Sequence, residues 1–191
     1  NFEPIDYAPK LFLSEEEKKE DWLGKYKDKK VIVLGVLGST PQKSMPYEYV
    51  AEMIDFIATN FDVYILFNYS PHQKEEAMKI YEMCKNKQNI ILNIYAPSIR
   101  DFIKLMNKCD VLVSNEGGTV HIAKALSKPT FTIFSPYVNK AHWASFEDGK
   151  FHHSIHLLDV KPDLFNNFTY EKGILCWINI FNFKNILIYT F

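Results

Sequence analysis

Cys109-Asp-Val-Leu-Val-Ser-Asn-Glu-Gly-Gly-Thr-Val-His-Ile-Ala-Lys-Ala-Leu126 decides how this chain reads. An apolar run breaks off at Gly117-Gly118, and a helical pattern starts at once. A strand that ends in a glycine turn and feeds a helix makes an anion site. The first amides of the helix have no internal partner, and its dipole favours negative charge there. The stretch predicts a site for the phosphates of a nucleotide or nucleotide-sugar. Paired glycines let a ligand approach the backbone, and Thr119 can cap the helix or touch an oxygen. The plainer reading is an ordinary strand-helix connection in which glycine only permits the turn. Glu116, an acid at a place that favours anions, is expected to face sugar hydroxyls or to cap free amides. His121 falls in the first helical turn, near any bound phosphate, although the helix N-terminus opposes its protonation. A lone histidine is otherwise more often structural.

Outward from this stretch, strand and helix patterns alternate. Val31 to Val36 is a β-branched run, followed by the loop Gly38-Ser-Thr-Pro-Gln-Lys-Ser-Met-Pro46 and a helix with Val50, Ile54 and Ile57 on one face. Val63 to Phe67 leads to a helix carrying Ala77, Ile80, Tyr81 and Cys84. Ile90 to Asn93 leads to a helix opened by Ser98 that buries Phe102, Ile103 and Met106. Asp110 to Val113 leads to the glycine turn and a helix that stops before Pro129, and Thr130 to Phe134 closes the series. Repeated units of this kind with apolar strands predict an α/β fold: a Rossmann-like parallel sheet with helices on both faces. Ligands of such sheets sit beyond the C-terminal strand ends. The loops at Gly38 to Lys43, Asn68 to Gln73, Tyr95 to Ser98, Asn115 to Thr119 and Ser135 to Trp143 are expected on that rim.

The 191 residues fit one such domain, 31–160, with a charged lead-in over 1–30 and a tail over 161–191. The lead-in carries a capping-box pattern, Ser14-Glu-Glu-Glu17, which predicts a short surface helix. Within the tail, Ile174 to Phe191 holds a single charge, Lys184. It reads as a segment packed on the sheet or a partner domain, as a poorly ordered or out-of-frame stretch, or as a membrane-surface contact. The last is least favoured, because the basic face such a contact wants is missing. The first residue is Asn1, which reads as a fragment, a processed form or an edited sequence.

Lys+Arg 22 against Asp+Glu 23 leaves no basic excess for a dedicated nucleic-acid binder. No apolar run approaches the roughly 20 residues of a membrane span. Cys84, Cys109 and Cys176 are odd in number and far apart, which fits a reducing compartment rather than a disulfide framework. His152-His-Ser-Ile-His156 has no zinc-site spacing, so no metal is expected. The Gly38 loop is neither G-x-G-x-x-G nor a P-loop. Ser39 and Thr40 still supply hydroxyls there, and Lys43 a point charge. No Ser-His-Asp or Cys-His arrangement can be argued from spacing.

Taken together, these residues resemble glycosyltransferase family 9, the heptosyltransferases of bacterial lipopolysaccharide synthesis. The family pattern is Asp-[Ser/Thr]-Gly-x-x-His-x-x-x-Ala-x before a Lys-Pro strand entry. Here it is matched by Glu116-Gly-Gly-Thr-Val-His-Ile-Ala-Lys-Ala-Leu-Ser-Lys-Pro129. Ser39-Thr40 with Lys43-Ser-Met-Pro46 is similar to the family's Thr-Thr, Lys-x-Trp-Pro stretch, and Phe134-Ser-Pro136 to its Phe-Gly-Pro turn, with Trp143 beyond. Glu replaces Asp at 116, Gly replaces Ser/Thr at 117, and Met45 replaces Trp.

The resemblance implies the C-terminal, donor-binding domain of a GT-B enzyme. Its donor would be a nucleotide-sugar, ADP-heptose above all, used as substrate with no cofactor and no metal. Ser39, Thr40, Lys43 and the amides of Gly117, Gly118 and Thr119 would hold the diphosphate. Glu116 would bind heptose hydroxyls, His121 would match the family histidine, and Ala96 and Pro97 would flank adenine. Gln73 or Glu75 would stand in for the family's ribose-binding Glu. The catalytic base, and a glycan or lipid A-core acceptor, would belong to an N-terminal domain not contained here. The isolated chain would then bind nucleotide and transfer nothing. The implied setting is the cytoplasm, with peripheral contact at the inner face of the bacterial inner membrane. Two other classes stay open: a non-catalytic nucleotide-binding or interaction module, and a GT-B-shaped nucleotide-sugar epimerase.

Overall fold

A computed structural model describes residues 8–160. The tail 161–191, with Cys176, lies outside the described residues, and so do residues 1–7. The elements in chain order are α1 (Glu15–Lys19), β1 (Lys30–Gly35), α2 (Tyr47–Asn60), β2 (Val63–Asn68), α3 (Lys74–Met83), β3 (Ile90–Ile91) and α4 (Ile99–Lys108). They continue with β4 (Val111–Asn115), α5 (Gly118–Ala125), β5 (Thr130–Ile133), α6 (Lys140–Trp143), β6 (His152–Ile155) and α7 (Leu157–Val160).

Six strands form one sheet in the order β3-β2-β1-β4-β5-β6, and every pair is parallel. The strands are apolar on both sides because both faces are covered. Ile32, Leu34, Ile65, Phe67, Val111 and Val113 point to the face packed by α2 and α3, where Ile54, Ile57 and Ile80 are buried. Val31, Val33, Leu66 and Leu112 point to the other face, under Phe102 and Met106 of α4 and Val120 and Ala123 of α5. The chain reverses its winding between β1 and β4, which are neighbours in space but not in sequence. That switch point opens a crevice above the C-terminal strand ends.

The lead-in straps onto the second face. Ser14 and Glu17 form a reciprocal capping box at α1. Glu17 also takes the Arg100 Nε hydrogen bond at 2.7 Å, and Leu23 is buried beside α4. No helix among the described residues is long and apolar enough to cross a membrane.

β6 takes up His152–Ile155 of the His152 to His156 tract, where no strand was expected. As the neighbour of β5 alone, it is held by backbone pairing, so apolar side chains are not required of it. His152 Nδ1 lies 3.1 Å from Thr130 Oγ1, and His156 Nδ1 accepts from Leu158 N at 2.9 Å. Burial lowers the pKa of both rings, reinforced at His152 by Lys124 and opposed at His156 by Asp159. A lowered folded-state value means that the unfolded chain binds the proton first. The stabilisation is therefore complete above the ordinary histidine value of about 6.5 and is lost as pH falls below it. Thermal melts between neutral and mildly acidic pH are expected to show that decline, less steep in His156→Gln. A flat profile would refute the assignment.

Candidate functional site

Above the switch point lies a cleft of about 440 Å³. Its walls are the loops after β1, β2, β3 and β4, including Gly38, Ser39, Tyr69, Tyr95, Pro97, Asn115, Glu116 and Thr119. One wall is the entry to α5. Gly117 is the N-cap residue and no side chain caps the helix. A Cβ built at Gly117 or Gly118 would meet nothing within 4 Å, so the glycines leave the backbone open to the cleft. The first turn of α5 thus presents unpaired amides and the positive end of a dipole to open space.

The loop after β1 is wound tightly. Lys43 N donates to Thr40 O at 3.0 Å, and Ser44 Oγ accepts from Gly38 N at 3.0 Å while donating to Thr40 O at 3.0 Å. Three ties hold this loop to its neighbours. Gln73 Nε2 donates to Gly38 O at 2.7 Å, Ser135 Oγ donates to Gln42 O at 3.1 Å, and Lys43 Nζ stands 3.2 Å from Glu116 Oε1.

Glu116 is the hinge of this arrangement. Its side chain is 5% exposed, and Oε2 accepts from Ser135 N at 3.3 Å. The Lys43 contact is an ion pair without hydrogen-bond alignment, so Oε1 accepts no hydrogen bond among the described residues. Glu116 therefore does not cap α5. Gln73 is not a free ribose partner, because Oε1 already accepts from Ser70 N at 3.1 Å and Nε2 is held by Gly38. Its role in the structure is to position the β1 loop.

Of the residues singled out from sequence, Ser39, Pro97, Glu116, Gly117, Gly118 and Thr119 border the cleft. Thr40 borders an adjoining cavity of about 450 Å³ with Met45 and Tyr47. Lys43 and His121 line neither. Sequence reasoning singled out neither the Tyr69–Tyr95 pair, whose rings stand 5.6 Å apart at 35°, nor Asn115 on the cleft wall. The tyrosines were within reach, since both fall in loops assigned to the rim.

Other nucleophile and metal readings find no support among the described residues. Cys84 and Cys109 are buried, and burial pushes both thiols up to about 12, far from the thiolate a nucleophile needs. No group of three or more His, Cys, Asp or Glu is placed to hold a metal. Trp143 and Phe146 are exposed and border neither cavity.

Residues 4–156 match the family model of glycosyltransferase family 9 (heptosyltransferase). The chain belongs to that family. Among solved structures it is similar to the family 9 glycosyl transferase of Veillonella parvula DSM 2008, at 14% identity and TM-score 0.64, over 90% of this chain and 53% of that one. It is also similar to E. coli ADP-heptose lps heptosyltransferase II, at 16% identity and TM-score 0.58, again over 90% and 53%. E. coli heptosyltransferase WaaC, solved with ADP, matches at 20% identity and TM-score 0.55, over 71% of this chain and 41% of that one. At these identities the likeness is one of fold, the Rossmann-like sheet of a GT-B glycosyltransferase. The family 9 chain spans about half the length of these relatives. A comparison with curated protein sequences finds no match.

Proposed function

We propose that this family 9 chain binds a nucleotide-sugar donor, ADP-heptose in preference to others, as the donor half of an inverting glycosyltransferase. The observation that carries the reading is the uncapped, glycine-opened N-terminus of α5 in the wall of the switch-point cleft. It is supported by the relatives: the E. coli enzyme WaaC is known with ADP and with ADP-2-deoxy-2-fluoro heptose. The diphosphate would lie on the amides of Gly118 and Thr119, beside Ser39. The nucleoside would extend past Pro97 toward Tyr69 and Tyr95.

In inverting transfer an acceptor hydroxyl attacks the anomeric carbon as the diphosphate leaves. Negative charge grows on the leaving phosphate, and fixed amides with a helix dipole oppose it more strongly in the transition state than in the ground state. Lys43, which pairs with Glu116 but does not line the cleft, would add to this only by turning toward the diphosphate while keeping Glu116 in reach. Full departure of Lys43 would leave a buried carboxylate without its cation. The acceptor, a glycan or lipid A-core, and the general base that activates its hydroxyl are assigned to a partner domain. The same reading places the protein in lipopolysaccharide synthesis, in the cytoplasm at the inner face of the bacterial inner membrane. No cofactor or metal is required by it.

Calorimetric titration of the chain with ADP-, UDP- and GDP-sugars tests the proposal. Selective binding of the ADP sugar is expected, without sugar transfer by the chain alone. Preference for UDP would favour an epimerase-like enzyme, and no nucleotide binding would favour an interaction module.

A further inference from the structure

Asn115 ends β4 directly before Glu116 and borders the cleft. It is 3% exposed, yet neither Nδ2 nor Oδ1 has a hydrogen-bond partner among the described residues. A buried amide with both ends unmet costs free energy that an apolar side chain would not. The sheet does not ask for an amide there. Val111, Leu112 and Val113 of the same strand are apolar, and Asn115 holds its place opposite Ile133 through the backbone ladder. Thr132 Oγ1 is also buried and unbonded, but Thr132 does not border the cleft. Asn115 does border it, as does its neighbour Glu116, whose Oε1 is likewise buried and accepts no hydrogen bond among the described residues.

The chemistry of the amide narrows that ligand. The NH2 offers two donors and the carbonyl two lone pairs. A phosphate oxygen only accepts, so it would satisfy Nδ2 and leave Oδ1 unmet. Hydroxyls both donate and accept, and a pair of them satisfies both ends. The cleft is also sorted along its length. The open amides of α5 suit phosphates, and the tyrosine pair stands beyond β2 and β3, on the far side of β1 from β4. At the β4 end, Asn115 is followed in sequence by Glu116, an acceptor.

We infer that Asn115 is a specificity-determining residue that binds hydroxyls of the polyhydroxylated group carried on the diphosphate. The inference rests on the donor reading above. The test is equilibrium titration of the full chain and of Asn115→Val with ADP and with ADP-heptose, alongside thermal melts. ADP affinity is expected to be unchanged, ADP-heptose affinity to fall about tenfold, as for loss of hydrogen bonds to a hydroxyl, and the melting temperature to hold or rise. Should the valine variant not fold, Asn115→Ala carries the same comparison. Equal losses for both ligands would put the contact on the nucleotide and overturn the inference. So would unchanged affinity for both, or a lowered melting temperature with no selective loss. If the unmodified chain binds ADP but gains nothing from the heptose, this inference alone fails. If it binds neither, the donor reading fails with it.

Discussion

Gly118→Asp is expected to abolish nucleotide binding while leaving the fold as firm as before. The two effects have opposite signs for the same electrostatic reason. A Cβ at position 118 meets nothing within 4 Å, so the new side chain enters without a clash. A carboxylate in the first turn of a helix is stabilising by about 0.3–1 kcal/mol through the dipole and the unpaired amides. Those are the groups proposed to hold the diphosphate, and the aspartate would occupy them and repel a second anion. An affinity loss of about 100-fold or more, close to 3 kcal/mol, is expected for ADP. Calorimetry and a melting curve on the same sample check both halves. Undiminished ADP binding would mean that the phosphates lie elsewhere.

The second large effect is structural. Gly35 ends β1 opposite Ser114 of β4, at the base of the cleft. A Cβ at Gly35 would fall 2.2 Å from Ser114 Oγ and 2.9 Å from Ser114 Cβ. Rotating the serine relieves the first contact but not the second, so Gly35→Ala must push the two central strands apart. Overpacking of this kind costs about 3 kcal/mol. For a chain of this size, the melting temperature would fall by roughly 6–12 °C. Ser114→Gly in the same chain removes both offending atoms and is expected to restore most of the loss, a coupling that a double-mutant cycle measures. Independent, additive losses would show that the strand spacing is not set by this contact.

The legible part of this fold was the part written in side-chain pattern. Four strands buried on both faces show as continuous apolar runs, and the glycine pair before α5 marks its own turn. Strand ends followed by loops named the rim, which is why Ser39, Pro97 and the Glu116–Thr119 turn were within reach. β6 was not, because an edge strand asks little of its side chains and His152-His-Ser-Ile155 carries no period. The Lys43–Glu116 pair was hidden for another reason. It depends on how the β1 loop is wound, and that winding is fixed locally by Ser44 and from afar by Gln73 and Ser135, whose backbone partners lie far away in sequence. Glu116 was therefore expected to face sugar hydroxyls or to cap free amides, and Gln73 was offered with Glu75 as a ribose partner, without sight of the contacts that both Glu116 and Gln73 make. Asn115 was placed on the rim with its loop but was not singled out there, since an asparagine before a turn is ordinary and only burial makes it unusual.

The ties among the rim loops have a kinetic consequence. Gly38, Gln42 and Glu116 are clipped to Gln73, Ser135 and Lys43 before any ligand arrives. Such a mouth has little freezing-out left to do on capture, so association should follow a single collision-limited phase whose speed scales with nucleotide concentration and falls with added salt.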